Sequence, residues 1–221
     1  MNKIIVNKEN YDFINQEIEL INSYNSLVLN IKGNVLINDL NNNQDIKLII
    51  NMMDDSNLIY NRFNTDINKM NVEINVNNND SVSFNQSIYQ NNKGSYMINT
   101  NILGNNNHVT VNVYGVSHDK GSLTLDANGD IKKHIKDNEM LENVRILSLN
   151  DEINTIIPNL LVSSEEVMVN HNATISGVDK DYLFYLMSKG LSEVSSSKLI
   201  IAGFINHNLK LNPEDKLKIK F

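Results

Sequence analysis

The sequence has no cysteine, and among its 221 residues it has only two prolines, nine glycines and two arginines. The lack of cysteine excludes disulfides, thiolate zinc sites, Cys-x-x-Cys redox chemistry, a cysteine nucleophile and a self-sufficient thiolate-held iron–sulfur cluster. Two prolines leave no proline-rich linker. The arginines, Arg62 and Arg145, are too few to build a guanidinium phosphate site. No apolar run reaches the ~18 residues of a membrane span, and the first thirteen residues have no apolar signal core. The expected compartment is therefore the cytoplasm. Basic residues number 19 against 26 acidic, for a net charge of −7. A chain this acidic has no electrostatic footprint for nucleic acid or an anionic membrane, so neither is expected as a partner.

What is abundant is asparagine, 42 residues in all. Two readings are open. One is the codon bias of an AT-rich genome; the other is that Asn serves left-handed turns and stacked amide ladders. Hydrophobic residues make up 41% of the chain, enough for a core.

Along the chain, Asn10 to Leu20 reads as a short helix, with Phe13, Ile14, Ile18 and Leu20 loosely on one side. Residues 1–25 are thus expected to form an N-terminal segment, partly helical. From residue 26 the pattern changes to period two. Leu27, Leu29 and Ile31 alternate with polar neighbours, as do Ile46, Leu48 and Ile50, and then Val72, Ile74 and Val76. Val82 and Phe84, Tyr96 and Ile98, Val109 to Val113, and Leu123 and Leu125 follow. Alternation of this kind means strands with one buried face. Asn41 to Asn43, Asn77 to Asn79, Asn91-Asn92 and Asn105 to Asn107 punctuate them. Short, evenly spaced strands fit a sandwich, a barrel or a β-solenoid. The only good hairpin pair is Asn128-Gly129, which tilts the choice toward a solenoid. Near residue 178 the period changes again. Asp179 can cap a helix through Tyr182, Leu183, Leu186 and Met187 that stops at Gly190, and Ser192 and Glu193 can open a second through Leu199 to Phe204. From Asn206 the tail alternates again and reads as a last strand or a loose end.

No Ser/His/Asp order, P-loop or Gly-x-Gly-x-x-Gly is present. The pairs Asp54-Asp55 and Glu165-Glu166 point apart in a strand and make no two-carboxylate site. His108 in an Asn-rich turn, His118, His134 in a basic stretch and His207 after the last helix read as surface residues. His171 differs: in strand register it shares a face with Val167 and Val169, opposite Met168 and Asn170.

The segment Val169-Asn170-His171-Asn172-Ala173-Thr174-Ile175-Ser176-Gly177-Val178-Asp179 resembles a motif of the SufB/SufD family of iron–sulfur cluster assembly scaffolds. So do Leu183 to Glu193 (LFYLMSKGLSE) and Leu199 to Phe204 (LIIAGF) after it. Glu142 to Leu149 (ENVRILSL) and Pro158 to Val162 (PNLLV) before it are also similar to family strands. The resemblance is specific over 142–205, weaker back to about residue 70, and absent before that. It implies a mainly β fold: a right-handed parallel β-helix over 26–177 with a C-terminal helical hairpin and tail over 178–221. It also implies a non-enzymatic scaffold that works with a SufC-type ATPase and a SufB-type protein or a second copy of itself. Dimerisation is then expected through the strands near 142–171. Asn143 falls where SufB-type members have a working cysteine, 28 residues before His171, so the chain is SufD-like. The family's arginine is displaced to Arg145. The chain is shorter than the usual family member and reads as lacking its N-terminal helical region. By resemblance, His171 and Asn143 are the cluster-assembly candidates, with His171 as the metal-ligating one. Phe184, Tyr185, Leu186 and Phe204 are the candidates for ATPase binding. No cofactor is held by the chain alone; a transient iron–sulfur cluster would be shared with a partner.

Overall fold

The computed structural model describes residues 2–6, 8–21, 25–40 and 44–221. Among these, the chain forms β1 (Asn2–Ile5), β2 (Asn10–Ile21), β3 (Ser26–Asp39), β4 (Ile46–Met52), β5 (Asn57–Thr65), β6 (Lys69–Val76) and β7 (Ser81–Gln90). It continues through β8 (Lys93–Ile102), β9 (His108–Ser117), β10 (Ser122–Ile131), β11 (Asn138–Ser148), β12 (Thr155–Val162) and β13 (Val167–Gly177). Three helices follow, α1 (Lys180–Ser188), α2 (Glu193–Asn208) and α3 (Pro213–Lys216). Every strand pairing is parallel. The strand order β12-β10-β8-β6-β4-β3-β5-β7-β9-β11-β13 splits even from odd strands, so each turn of the chain lays one strand in each of two walls. The result is a β-solenoid of about five turns with helices at its C-terminal end.

The interior is built from the residues that alternate in sequence. Leu48, Val72, Ile98 and Ala127 stack in register along one wall. Tyr60, Phe84 and Val111 do so along the other. All seven are buried. β3 belongs to both walls: its first half pairs with β4 and its second with β5. It bends at Gly33, whose φ of 67° suits glycine and whose missing Cβ leaves room for the Asn15 side chain.

The expected helix over Asn10 to Leu20 is instead strand β2. A bulge at Asn15, with φ 48°, shifts the pairing with β3 between Ile14 and Gln16. Before it the odd-numbered Phe13 is buried, and after it the even-numbered Ile18 and Leu20 are. That switch of parity makes period two look like a loose helical face. The tail is corrected too. His207 lies in the last turn of α2, Leu209 and Leu211 pack on the body, and a short helix follows where a strand or loose end was expected. His108 opens β9 rather than sitting in a turn. Asn41 to Asn43 lie outside the described residues.

Asparagine does both of its structural jobs. At one corner Asp55, Asn79, Asn106 and Asp137 all have positive φ. There Asn79 donates to Asp55 and Asn106 to Asn79, each at 2.9 Å. On the outer surface of the odd wall the Asn38–Asn61–Asn85–Asn112–Asn143–Asn172 ladder runs the length of the solenoid. Each side-chain amide donates to the carbonyl of the rung before it, at 2.9–3.2 Å. The steps are 23, 24, 27, 31 and 29 residues, so rungs vary in length and no exact repeat exists to be read. Asn85 is fully buried, and Asn85→Ala removes one partner each from Asn61 and Asn112. We expect urea titration to show a loss of about 2 kcal/mol. Asn172→Ala, at the exposed end of the same ladder, should cost no more than about 0.5 kcal/mol.

α2 covers the outer face of the odd wall. Ile201, Ile205 and Leu209 pack with Phe63, Tyr89, Val116 and Leu147 in a second core. Asn208 Nδ2 donates to the Gln86 carbonyl at 2.7 Å, and Ser87 Oγ to the Ile205 carbonyl at 3.1 Å. α1 starts as expected: the Asp179 carboxylate accepts from the Asp181 and Tyr182 amides. α1 packs on α2, and α2 on β7 and β9.

Candidate functional site

β11 and β13 position the predicted residues. They pair in register, Glu142 with His171 and Asn143 with Asn172. Successive residues of a strand face opposite ways, so Asn143 and His171 lie on opposite faces of this pair. Asn143 points outward into the amide ladder, accepting from Asn172 and donating to Asn112, each at 2.9 Å. His171 is on the inward-facing side, as its parity with Val167 and Val169 requires; both valines pack on the core. His171 is nonetheless exposed, because β13 belongs to the last rung and, among the described residues, no strand stacks on it.

Directly beneath His171 is a residue that motif reading passed over. Glu142 occupies the inward column Tyr60–Phe84–Val111–Glu142–His171. It is fully buried, and neither carboxylate oxygen has a hydrogen-bond partner. Burial alone pushes its pKa up to about 7. The signal was in the sequence: Glu142 has the parity of Met140, Val144 and Ile146, all of them buried.

Parity also exposes a second buried polar group, deeper in the solenoid. Arg62 and Asp39 form a fully buried ion pair, and Tyr60 Oη donates to Asp39 at 2.9 Å. Nearby, Asn64 Nδ2 donates to Tyr96 Oη, and that hydroxyl donates to Gln90 Oε1, both at 2.9 Å. Burial outweighs the attraction of Arg62 and holds the Asp39 pKa above its ordinary value.

The remaining candidates lie on the hairpin. Phe184 is 73% and Tyr185 53% exposed, whereas Leu186 is buried. Phe204 packs on Tyr114, ring centroids 5.1 Å apart. Leu186 and Phe204 therefore face into the fold, whereas Phe184 and Tyr185 face outward. The edge of the last rung is apolar as well, with Ile157, Leu161, Met168 and Ile175 exposed. Of the other histidines, His108 pairs with Glu139 and His118 with Asp119, each at 3.1 Å. Arg145 lies over the Tyr114 ring, 5.5 Å from its centroid. Among the described residues, no three His, Asp or Glu side chains gather to hold a metal.

Comparison with known proteins assigns this architecture. The family described as "SUF system FeS cluster assembly, SufBD core domain" matches residues 13–204. The chain belongs to the SufBD family. The family match starts within β2 and reaches well upstream of the region where motifs were legible. An iron–sulfur cluster assembly SufBD family protein of Staphylococcus aureus (strain USA300) is 38% identical over 56 residues, covering 25% of this chain and 12% of the relative. A protein of the same description from Pyrococcus horikoshii is 42% identical over 53 residues, covering 24% and 12%. The SufBD chain thus aligns with only a small part of these relatives. The family is one of iron–sulfur cluster assembly in the SUF system. No helix among the described residues is long and apolar enough to cross a membrane.

Proposed function

We propose that this SufBD chain is a SufD-like subunit of a cytoplasmic SUF complex, a scaffold rather than an enzyme. Its partners are a SufC-type ATPase and a cysteine-bearing SufB-type protein. The cluster is cargo, built between subunits and not owned by this one. The observation that carries the reading is His171, an exposed imidazole on the uncovered last rung within the family's motif. With no thiol of its own, the chain is suited to lend one imidazole to a cluster whose thiolates come from a partner. The apolar edge of β12 and β13 supports strand pairing across a dimer, because an unpaired edge is normally covered. Phe184 and Tyr185 support contact with the ATPase through the hairpin.

A second reading keeps the fold and the ATPase contact but no cluster. The place of Asn143 in a structural ladder favours it, since that position needs no chemical role. Co-expression with the SufB-type and SufC-type proteins of the same organism separates the two. We expect a stable complex whose iron and sulfide fall several-fold with His171→Ala, while the melting curve of the isolated chain is unchanged. A stable complex with unaltered iron would leave the cluster-free module. Failure to form any complex would remove both readings.

A further inference from the structure

We propose that Glu142 and His171 together form a two-donor half-site for a divalent transition-metal ion at the open end of the solenoid. The proposal rests on the reading of His171 as a donor and adds Glu142 to it. The two residues are register partners on adjacent parallel strands, on the same inward-facing side. Strands of a sheet are about 4.8 Å apart. A single ion bonded at about 2.0–2.2 Å to a carboxylate oxygen and an imidazole nitrogen bridges side chains at that spacing.

The case for a ligand is the state of Glu142 without one. It is buried, yet neither oxygen accepts a hydrogen bond. Residues below it in the column are Val111, Phe84 and Tyr60, which offer it no compensating charge at its own level. A buried carboxyl with no partner costs stability, and packing would be better served by another valine. What lies above it is His171, the one nitrogen donor in the column, open to the outside. A cation entering at the exposed edge meets the imidazole first and the carboxylate beneath it. Carboxylate and imidazole together suit iron(II)-like ions of borderline softness. With no third such side chain gathered there among the described residues, the remaining coordination positions stay free for sulfide, water or a partner's thiolate. That is the open sphere an assembly site requires.

The test uses the whole chain with cobalt(II) as probe, read by visible absorption and by calorimetry. We expect one saturable ion per chain. Glu142→Gln and His171→Ala should each weaken binding about tenfold or more, with circular dichroism unchanged. His118→Ala should leave binding as it is. Glu142→Gln binding cobalt as tightly as the wild type would overturn the proposal; His171 alone would then remain as donor if His171→Ala still weakened binding. Absence of saturable binding to the wild-type chain would also overturn it. The iron content of the His171→Ala complex would judge the assembly role separately. An equal loss in His118→Ala would mean adventitious surface binding and would likewise defeat the half-site.

Discussion

Arg62→Met should lower the unfolding free energy by about 3–5 kcal/mol, because it removes one charge of a buried pair and strands the other. Arg62 and Asp39 are both fully buried and pair with each other. Without the guanidinium, Asp39 keeps only the Tyr60 hydroxyl as partner and is forced to take up a proton or unfold. The pair joins β3 to β5, where the chain passes from the shared strand into the odd wall. The first effect should therefore be loss of hydrogen-exchange protection in β3 and β5, before the later rungs. Asp39→Leu combined with Arg62→Met should recover part of the loss, since no buried charge is then left unpaired and only the Tyr60 hydroxyl loses its acceptor. A single-variant loss below about 1 kcal/mol in urea titration, or a double variant no better than the single, would refute the account.

Glu142 should give the wild type a stability that falls as pH rises. Its ordinary pKa of 4.5 is pushed up to about 7 in the fold by desolvation. Between those values the native state keeps a proton that the unfolded chain has lost. Stability therefore declines as pH rises from 4.5 to about 7, and stays at the lower level above that. The full difference is about 3 kcal/mol, at about 1.4 kcal/mol per pH unit. Glu142→Gln keeps the shape and removes the titration. Other groups titrate in the same range, so the quantity to measure is the difference between the two proteins. That difference should be near zero at pH 4 and favour Glu142→Gln by up to about 3 kcal/mol at pH 8. A flat difference would mean that Glu142 is solvated in solution. The same penalty is what a cation at His171 would relieve, so the variant that stabilises the fold is expected to weaken metal binding.

Much of this molecule is legible residue by residue. Successive side chains of a strand point to opposite faces, so parity alone assigns inward and outward positions. Leu48, Val72, Ile98 and Val111 were assigned that way, and Arg62 and Glu142 were assignable by the same rule. Helix caps are equally local: Asp179 and Ser192 satisfy amides two or three residues away, and their helices start where those residues stand. The motif around His171 was legible for the same reason, being a short contiguous string.

Other features depend on which residues meet across turns of the chain. The Asn ladder joins residues 23 to 31 positions apart, and no fixed period announces it because each rung has its own length. The bulge at Asn15 disguised β2 as a helix, since it takes a neighbouring strand to define register. Most of all, burial at the open end was beyond local reading. Glu142 and His171 share one face and one column, but the first is buried and the second exposed because one strand has another stacked on it and the other does not. Sequence by itself determined most strands after residue 26, their faces and the family's motif; the number of rungs above each residue, which only the tertiary structure decides, made Glu142 a buried carboxyl and left His171 an exposed imidazole.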